Sequence, residues 1–522
     1  MELIKKRVHM NRCNCRKDMQ ITLDNDFNVP DVSADIHTIV KEQGEVQVDE
    51  VRFVSGKGTI RGKLSFCILY VGDEEGKPVC QFKNTIPFEE NVSLDDTCSE
   101  DDVSVKCLID DLKSEMINSR KIGVKAILSF EIVSEALYDG EGAVDMEGNE
   151  EIFLQKKALP VTQLSLCKKD VFRMRDEFSL PSTKDSVERV LYESITLEEM
   201  ETRLVENKIN IGGQVKIFVL YISGTENSHL EFYETTLPIR GTLDCNGCDE
   251  SMVPYIEIGI HSKDLEAKED EDGEMRVFDL EMVLDLLIKV YREEELEVLT
   301  DFYARDRDLS PVFTDSYFEH LLMKNNSKAR VAEKISLEEN QKILQIWNVE
   351  GEIRIDEKKV VAEGILVQGV IETNILYVSG EGDLPIGSLK GTIPFEQTVD
   401  VKGMSANAIF ELSGAIDQIG AVILREREVE VKATIELDVI AFEKIVLPMI
   451  SDYSEIELDM ETVSKEPGMV GYVVKENESL WDIAKLFRTK IETIVELNEL
   501  ETEEIREGQT LLLMKEIQNI AG

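Results

Sequence analysis

Polar and apolar residues alternate along most of this chain, and one alternating phrase is written three times at fixed internal spacing. Its copies are Gly62-Lys-Leu-Ser-Phe-Cys-Ile-Leu-Tyr70, Gly213-Gln-Val-Lys-Ile-Phe-Val-Leu-Tyr221 and Gly369-Val-Ile-Glu-Thr-Asn-Ile-Leu-Tyr377. In Leu64, Phe66, Ile68 and Tyr70 the period is two, which predicts a strand half buried at its start and fully buried at its end. Seventeen residues beyond each tyrosine stands a proline in an apolar setting: Pro87, Pro238 and Pro394. The copies are offset by 151 and 156 residues, so the repeating unit is a domain and not a solenoid turn.

Further marks belong to the unit. Pro30 and Pro181 each lie forty residues before the anchor tyrosine, and the third copy has Leu337 at that offset. Ile36 and Ile39, like Val187, Val190 and Leu191, have helical spacing and predict a short helix after the proline. Two more strands are expected at Val103–Asp110, Tyr255–His261 and Ile409–Ile416, and at Ile122–Val133, Val277–Val290 and Val429–Phe442. Tyr138-Asp-Gly-Glu-Gly, the acidic segment 293–310 and Ser451-Asp-Tyr-Ser-Glu read as connectors, and Lys263–Glu274 as an acidic turn. The expected architecture is multidomain and mainly β, with sandwich- or barrel-like units at 1–140, 160–295 and 325–450.

The tail changes period. Tyr472-Val-Val predicts a strand, Ser479 with Asp482 a capping box, and Leu480, Ile483, Ala484 and Phe487 the stripe of one helix. Ile491, Ile494, Val495 and Leu497 predict a second helix, and Leu511–Met514 a closing strand. The result is a small α+β module, βααβ, over residues 470–516.

Composition narrows the functional classes. A net charge of −47 over 522 residues repels phosphate backbones and anionic headgroups, which argues against nucleic-acid or membrane-surface binding. No stretch is apolar enough to cross a bilayer, and the start lacks a signal peptide's apolar core; with Met1 as native start, a cytoplasmic protein is expected. Nine cysteines make an odd number and predict a reduced compartment and not a disulfide framework.

No motif carries chemistry. Cys245-Asn-Gly-Cys248 lacks a second half-site, with His229 and His261 isolated, and reads as a turn. Gly56-Lys-Gly-Thr-Ile-Arg-Gly62 has the wrong spacing for a phosphate loop and reads as a hairpin turn. The five histidines form no spaced set, so no catalytic, cofactor or metal residue is assigned and no enzyme is expected. Tyr70, Tyr221 and Tyr377 read as strand-end core residues, Trp347 as core of the third unit, and Trp481 as partly packed.

The tail resembles a LysM domain, on Tyr472-Val-Val, Ser479-Leu-Trp-Asp-Ile-Ala484, Leu497-Asn498 and Gly508-Gln-Thr-Leu. The resemblance implies a groove for N-acetylglucosamine polymers such as peptidoglycan. It would comprise Asn477, Glu478, Ser479, Leu480 and Trp481 on one side, with Asn498, Glu499 and Leu500 on the other. Two features depart from the family: its Pro-Gly-Asp-Thr turn reads Glu476-Asn-Glu-Ser479, and 470–516 carry 6 basic against 11 acidic residues. The three large units resemble the SPOCS domain of endospore formers, on the Gly…Leu-Tyr strand, the Ile-Pro-Phe-like step and the late tyrosines Tyr303 and Tyr453.

Three such units before a LysM resemble the clostridial family of SpoIVA-interacting spore-coat morphogenetic proteins. That implies a non-enzymatic assembly protein in the mother cell, at the forespore surface. It would bind the coat-basement ATPase SpoIVA and other coat proteins by multivalent docking that includes the LysM. The alternative is a wall protein binding peptidoglycan glycan through LysM.

Overall fold

The computed structural model describes the chain apart from residues 55, 95–102, 149–150, 226–227, 338–341, 381–383, 406, 426, 458–466 and 515–522. Cys98 and the last two residues of the expected 470–516 module lie outside the described residues. The first unit comprises β1 (Glu2–Asn28), β2 (Ile36–Val54), β3 (Lys57–Gly72), β4 (Val79–Ser93), β5 (Val103–Asn118) and β6 (Lys121–Glu147). They form two antiparallel three-stranded sheets, ordered β2-β3-β4 and β1-β6-β5. The sheets share one core, in which Leu64, Phe66 and Tyr70 of β3 meet Val124, Leu128 and Phe130 of β6. Each unit is therefore a β-sandwich.

The second unit repeats this with β7 (Ile152–Ser179), β8 (Val187–Val205), β9 (Lys208–Ser223), β10 (Leu230–Asp244), β11 (Val253–Glu269) and β12 (Met275–Ala304). The third does so with β13 (Arg307–Ser336), β14 (Ile343–Val361), β15 (Gly364–Ser379), β16 (Ile386–Asp400), β17 (Ile409–Arg425) and β18 (Glu428–Glu457). The tail holds β19 (Met469–Val473), α1 (Leu480–Phe487), α2 (Ile491–Leu497) and β20 (Thr510–Met514). Those two helices are the only ones among the described residues, and neither is long or apolar enough to cross a membrane.

The repeated phrase is the central strand of one sheet in every unit. Pro87, Pro238 and Pro394 sit on the edge strands β4, β10 and β16, where a missing N–H leaves no gap in a central ladder. A Cβ on Gly62 would stand 2.3 Å from the Gln47 carbonyl oxygen, and one on Gly369 would stand 2.1 Å from that of Arg354. The close approach of the neighbouring strand explains the glycine. At the other end the Tyr70 hydroxyl donates to the Ala34 carbonyl at 3.1 Å and that of Tyr221 lies 3.3 Å from the Asp185 carbonyl oxygen, as expected of strand-end core residues.

Several local expectations are corrected. Ile36–Ile39 and Val187–Leu191 are not helical: a turn closed by Ser33 N–H to Pro30 C=O, or Lys184 to Pro181, leads straight into β2 or β8. Both strands bulge twice there, between Ile36 and Thr38 and again between Ile39 and Lys41, and likewise in β8. Each bulge inserts one residue, so the inward positions recur every three and imitate a helix. Leu337 takes the place of Val29 and Leu180: its N–H donates to the Arg427 carbonyl as theirs do to Arg120 and Arg276. The third unit's counterpart of Pro30 is thus residue 338, which lies outside the described residues. Lys263–Glu269 continues β11, and the turn is confined to Asp270–Glu274.

The supposed connectors are strands. The outer ends of β1 and β6, of β7 and β12, and of β13 and β18 run past their sandwiches as paired ribbons. The three ribbons pack together through Val8, Met10, Val161, Val298, Phe318 and Met449. Gly140 is a packing contact and not a hinge, since a Cβ there would lie 2.6 Å from the Tyr317 carbonyl oxygen.

At the other end the sandwiches close on one another through equivalent residues. Leu69, Leu220 and Leu376, each preceding its anchor tyrosine, are fully buried in one shared cluster. The residue eleven places past each tyrosine reaches the next unit: Gln81 Nε2 donates to Val190 O at 2.8 Å and Ser388 Oγ to Val40 O at 2.7 Å. In the same place, Phe232 lays its ring 5.3 Å from that of Trp347, which therefore serves an interface and not the third unit's own core. The three contacts form a closed cycle with the pattern of a trimer.

Two charged clusters occupy the junction. Lys41, 1 % exposed, donates to Glu350 at 2.6 Å, and Glu350 also accepts from the Tyr192 hydroxyl and from Asn348. Burial alone would raise the Glu350 carboxyl; Lys41 and the neighbouring hydroxyls hold it below the usual range. Lys289, equally buried, pairs with Glu411 at 2.8 Å and Glu135 at 3.0 Å, so each cluster draws on all three units. Nearby Glu319 is buried, and its carboxyl is pushed up to about 7 by burial and by Glu411, against a hydrogen bond from Tyr317.

Two outcomes follow from these clusters. Lys41→Met leaves Glu350 buried without its cation and should lower the unfolding free energy by about 3–5 kcal/mol in chemical denaturation. Adding Glu350→Gln should recover most of that, and full stability in the single variant would show the pair to be idle. The native state holds the Glu319 proton more tightly than the unfolded chain does. Its contribution is complete below about pH 4.5 and disappears as pH rises through about 7. Glu319→Gln should flatten the pH profile of stability in that window.

Candidate functional site

The C-terminal module is built as its sequence predicts. The Ser479 hydroxyl accepts from Asp482 N–H at 3.2 Å while Asp482 accepts from Ser479 N–H at 2.9 Å, which satisfies the first turn of α1. Leu480, Ile483 and Ala484 face Ile494, Leu511 and Leu513 in a small core.

The groove residues have unequal roles. Asn477 is exposed and takes φ +61° in the turn before α1. Glu478 accepts from the Tyr472 hydroxyl at 2.7 Å and from Lys475 N–H at 2.8 Å; these bonds hold its carboxyl below the usual range and brace the loop. Leu480 is buried in the module's core. The Asn498 amide clasps Leu512, accepting from its N–H at 2.6 Å and donating to its carbonyl at 2.8 Å. Glu499 is exposed and Leu500 half-buried.

Trp481 faces the second unit. Its indole N–H donates to Asp301 at 2.8 Å, and its ring meets Tyr303 edge-on with centroids 5.0 Å apart. Tyr303 stacks on Phe153 and donates to the Thr489 carbonyl at 2.7 Å. Three cations of the module pair with acids of the ribbons: Lys485 with Asp301 at 2.5 Å, Arg488 with Asp308 at 2.6 Å and Lys490 with Glu151 at 2.6 Å. A cleft of about 430 Å³ lies along this junction, between Phe153–Lys156 and Tyr303 on one side and Ser479, Leu480, Trp481 and Glu503 on the other.

The structure therefore brings Ser479, Leu480 and Trp481 together on that cleft, while Asn498, Glu499 and Leu500 do not line it. The docking partners Glu151, Phe153, Asp301 and Asp308 were missed from sequence. Asp301-Phe-Tyr303 stood out only as a repeat mark, and nothing local said that another domain would cover it.

Family models match this architecture. The SipL SPOCS-domain model matches residues 35–117, 186–268 and 342–424, and the LysM-domain model matches 472–513. The chain is a SPOCS–LysM protein. No curated protein and no solved structure matches it. Each SPOCS match begins after the first strand of its unit and ends within the fifth, so the ribbon-forming first and sixth strands lie outside it.

Elsewhere, Cys245-Asn-Gly-Cys248 is a turn, with Cys248 N–H donating to Cys245 O and Gly247 at φ +82°. Both cysteines sit in the apolar core of the second SPOCS domain, and burial pushes the Cys245 thiol up. Val54 pairs with Lys57 across the turn at Gly56, so that glycine-rich stretch is a hairpin. His229, isolated in sequence, is not isolated in the fold: Asp185 and Glu231 flank it.

Asp301→Ala removes the acceptor shared by Trp481 and Lys485, at a cost of about 1–3 kcal/mol to the docking. Hydrogen exchange should quicken across α1 and α2 and leave β3, β9 and β15 unchanged. Equal protection of α1 in variant and parent would mean that this contact does not hold the LysM.

Proposed function

We propose that this SPOCS–LysM protein is a non-enzymatic morphogenetic scaffold of the spore coat. In this reading it acts in the mother-cell cytoplasm and docks the coat ATPase SpoIVA, with other coat proteins, at the forespore surface. Its domain content is that of a sporulation-related protein. The observation that carries the reading is the placement of Trp481. The aromatic residue at the mouth of the LysM groove is hydrogen-bonded and ring-packed within the chain, and is not left free to stack on a sugar. With Lys485, Arg488 and Lys490 paired to acids outside the module, the exposed residues from the end of α2 to the closing turn are mostly acidic: Glu496, Glu499, Glu501, Glu504 and Glu507, against Arg506. Such a face suits a basic protein surface.

Multivalent docking takes a particular form here. Because the SPOCS domains are packed together, their outer surfaces have fixed relative positions and would meet a partner as one template. A peptidoglycan-binding reading also has one observation in its favour, since the cleft of about 430 Å³ beside Ser479 and Trp481 is lined by the aromatic residues Phe153 and Tyr303.

Deleting residues 470–522 should reduce co-purification of the coat ATPase at least tenfold. Glu496→Lys with Glu499→Lys, which leaves the docked face intact, should do the same. Undiminished capture by both variants would refute the LysM contact. Retention on purified cortex glycan, competed by N-acetylglucosamine oligomers, would favour the wall-binding reading instead.

A further inference from the structure

The second SPOCS domain contains a side-chain set that neither of its siblings has. His229 Nε2 stands 3.2 Å from Glu231 Oε1 and 3.5 Å from Asp185 Oδ2, and the three ligand atoms all lie within 4.8 Å of one another. It is the one convergent set of this kind among the described residues. We propose that Asp185, His229 and Glu231 bind a divalent transition cation of the Zn²⁺ class.

Ligand bonds of about 2.1 Å to a tetrahedral Zn²⁺ place neighbouring ligand atoms about 3.4 Å apart. The two separations at His229 fall on either side of that value. Histidine–carboxylate pairs elsewhere in the chain, each with a single carboxylate, run from 2.6 Å for His9 with Asp139 and 2.9 Å for His261 with Asp285 to 3.4 Å for His37 with Asp73. His229 Nε2 lies within hydrogen-bond reach of Glu231 and faces a second carboxylate, that of Asp185.

His229 Nδ1 is hydrogen-bonded to Ser223 Oγ at 2.9 Å, which orients the ring and leaves Nε2 for the centre. The Tyr221 hydroxyl donates to Glu231 Oε2 at 2.9 Å, and Lys184 lies 3.7 Å from that same oxygen, so Oε1 is left for the cation. The same hydroxyl oxygen lies 3.3 Å from the Asp185 carbonyl oxygen, which sets the third ligand's turn beside the same strand.

Counted from the anchor tyrosine, the equivalent positions are Ala34, Pro78 and Cys80 in the first unit and Gln341, Pro385 and Gly387 in the third. The fold does not require the set, since two sandwiches are built without it. One imidazole with two carboxylates suits Zn²⁺ or Co²⁺ better than Ca²⁺, which prefers oxygen alone. Bound there, the cation would fasten the turn after Pro181 to the β9–β10 loop and keep a position open for water or a partner's donor group.

Cobalt titration of the full chain tests the site, because thiolate ligation adds a near-ultraviolet charge-transfer band that nitrogen and oxygen ligands do not. We expect one equivalent of Co²⁺ without that band, displaced by Zn²⁺. His229→Pro, the residue both siblings carry, should weaken binding at least tenfold while retaining the parent's circular dichroism; Glu231→Gln should do likewise. No uptake by the parent, uptake with the thiolate band, or undiminished binding in both variants would each overturn the assignment and leave an ordinary ion pair.

Discussion

The Lys41–Glu350 pair is the constraint on which the arrangement of the three SPOCS domains turns. A lysine this deeply buried is tolerable only beside a carboxylate, and that carboxylate comes from a domain about three hundred residues away in sequence. Counted from the anchor tyrosines, Lys41, Tyr192 and Asn348 occupy one and the same position in the three units. Identical subunits in a three-fold ring would place three like residues there, and three buried lysines would repel. Joining the units in one chain lets that position hold a cation, a phenol and an amide, which converge on a single glutamate supplied by the third unit. The triplication thus permits an asymmetric centre that a homotrimer could not have.

From this centre the constraint passes outward. Once the sandwiches are fixed, their first and sixth strands leave together, and the ribbons they form must pack side by side. Phe318 and Met449 of one ribbon press on Val8 and Met10 of another and on Val161 and Val298 of the third. The second domain's ribbon then presents Phe153, Asp301 and Tyr303 to the LysM. The position of the LysM, and so the choice of which of its faces stays free, is settled by contacts that begin at the ring's far end.

Much of this was legible in the residues. The Gly…Tyr…Pro phrase marked three β-rich units, and alternation narrowed them to a sandwich or a barrel, of which the structure shows the sandwich. Ser479 and Asp482 marked the start of α1, and the anchor tyrosines were read correctly as core. The ribbons were not legible. A bulge at Thr300, between Leu299 and Asp301, breaks the period of two, and Glu293, Glu295 and Glu297 make the segment look like solvated linker. Its pairing partner, Ile152–Gln163, lies well over a hundred residues earlier. The same arithmetic of bulges turned Ile36 and Ile39 into a false helix. Interface roles were hidden for another reason: Leu220 and Trp347 look like core residues of their own domains, and only the packing of three units says otherwise.

The single LysM makes the assembly directional. Tyr303 and Tyr453 are both late tyrosines of a sixth strand, yet Tyr303 donates to the LysM backbone, whereas Tyr453 donates to the Met1 carbonyl of the first domain. The LysM therefore rests on the second unit's ribbon through Asp301 and Tyr303, with a further ion pair to Asp308 of the third. A symmetric ring with three adaptors would bind any of three partners in equivalent orientations and could nucleate growth in several directions. A ring with one adaptor presents a partner with one orientation only. The buried phrase recurs because each sandwich needs it, while the position of Lys41, Tyr192 and Asn348 and that of His229 differ from unit to unit.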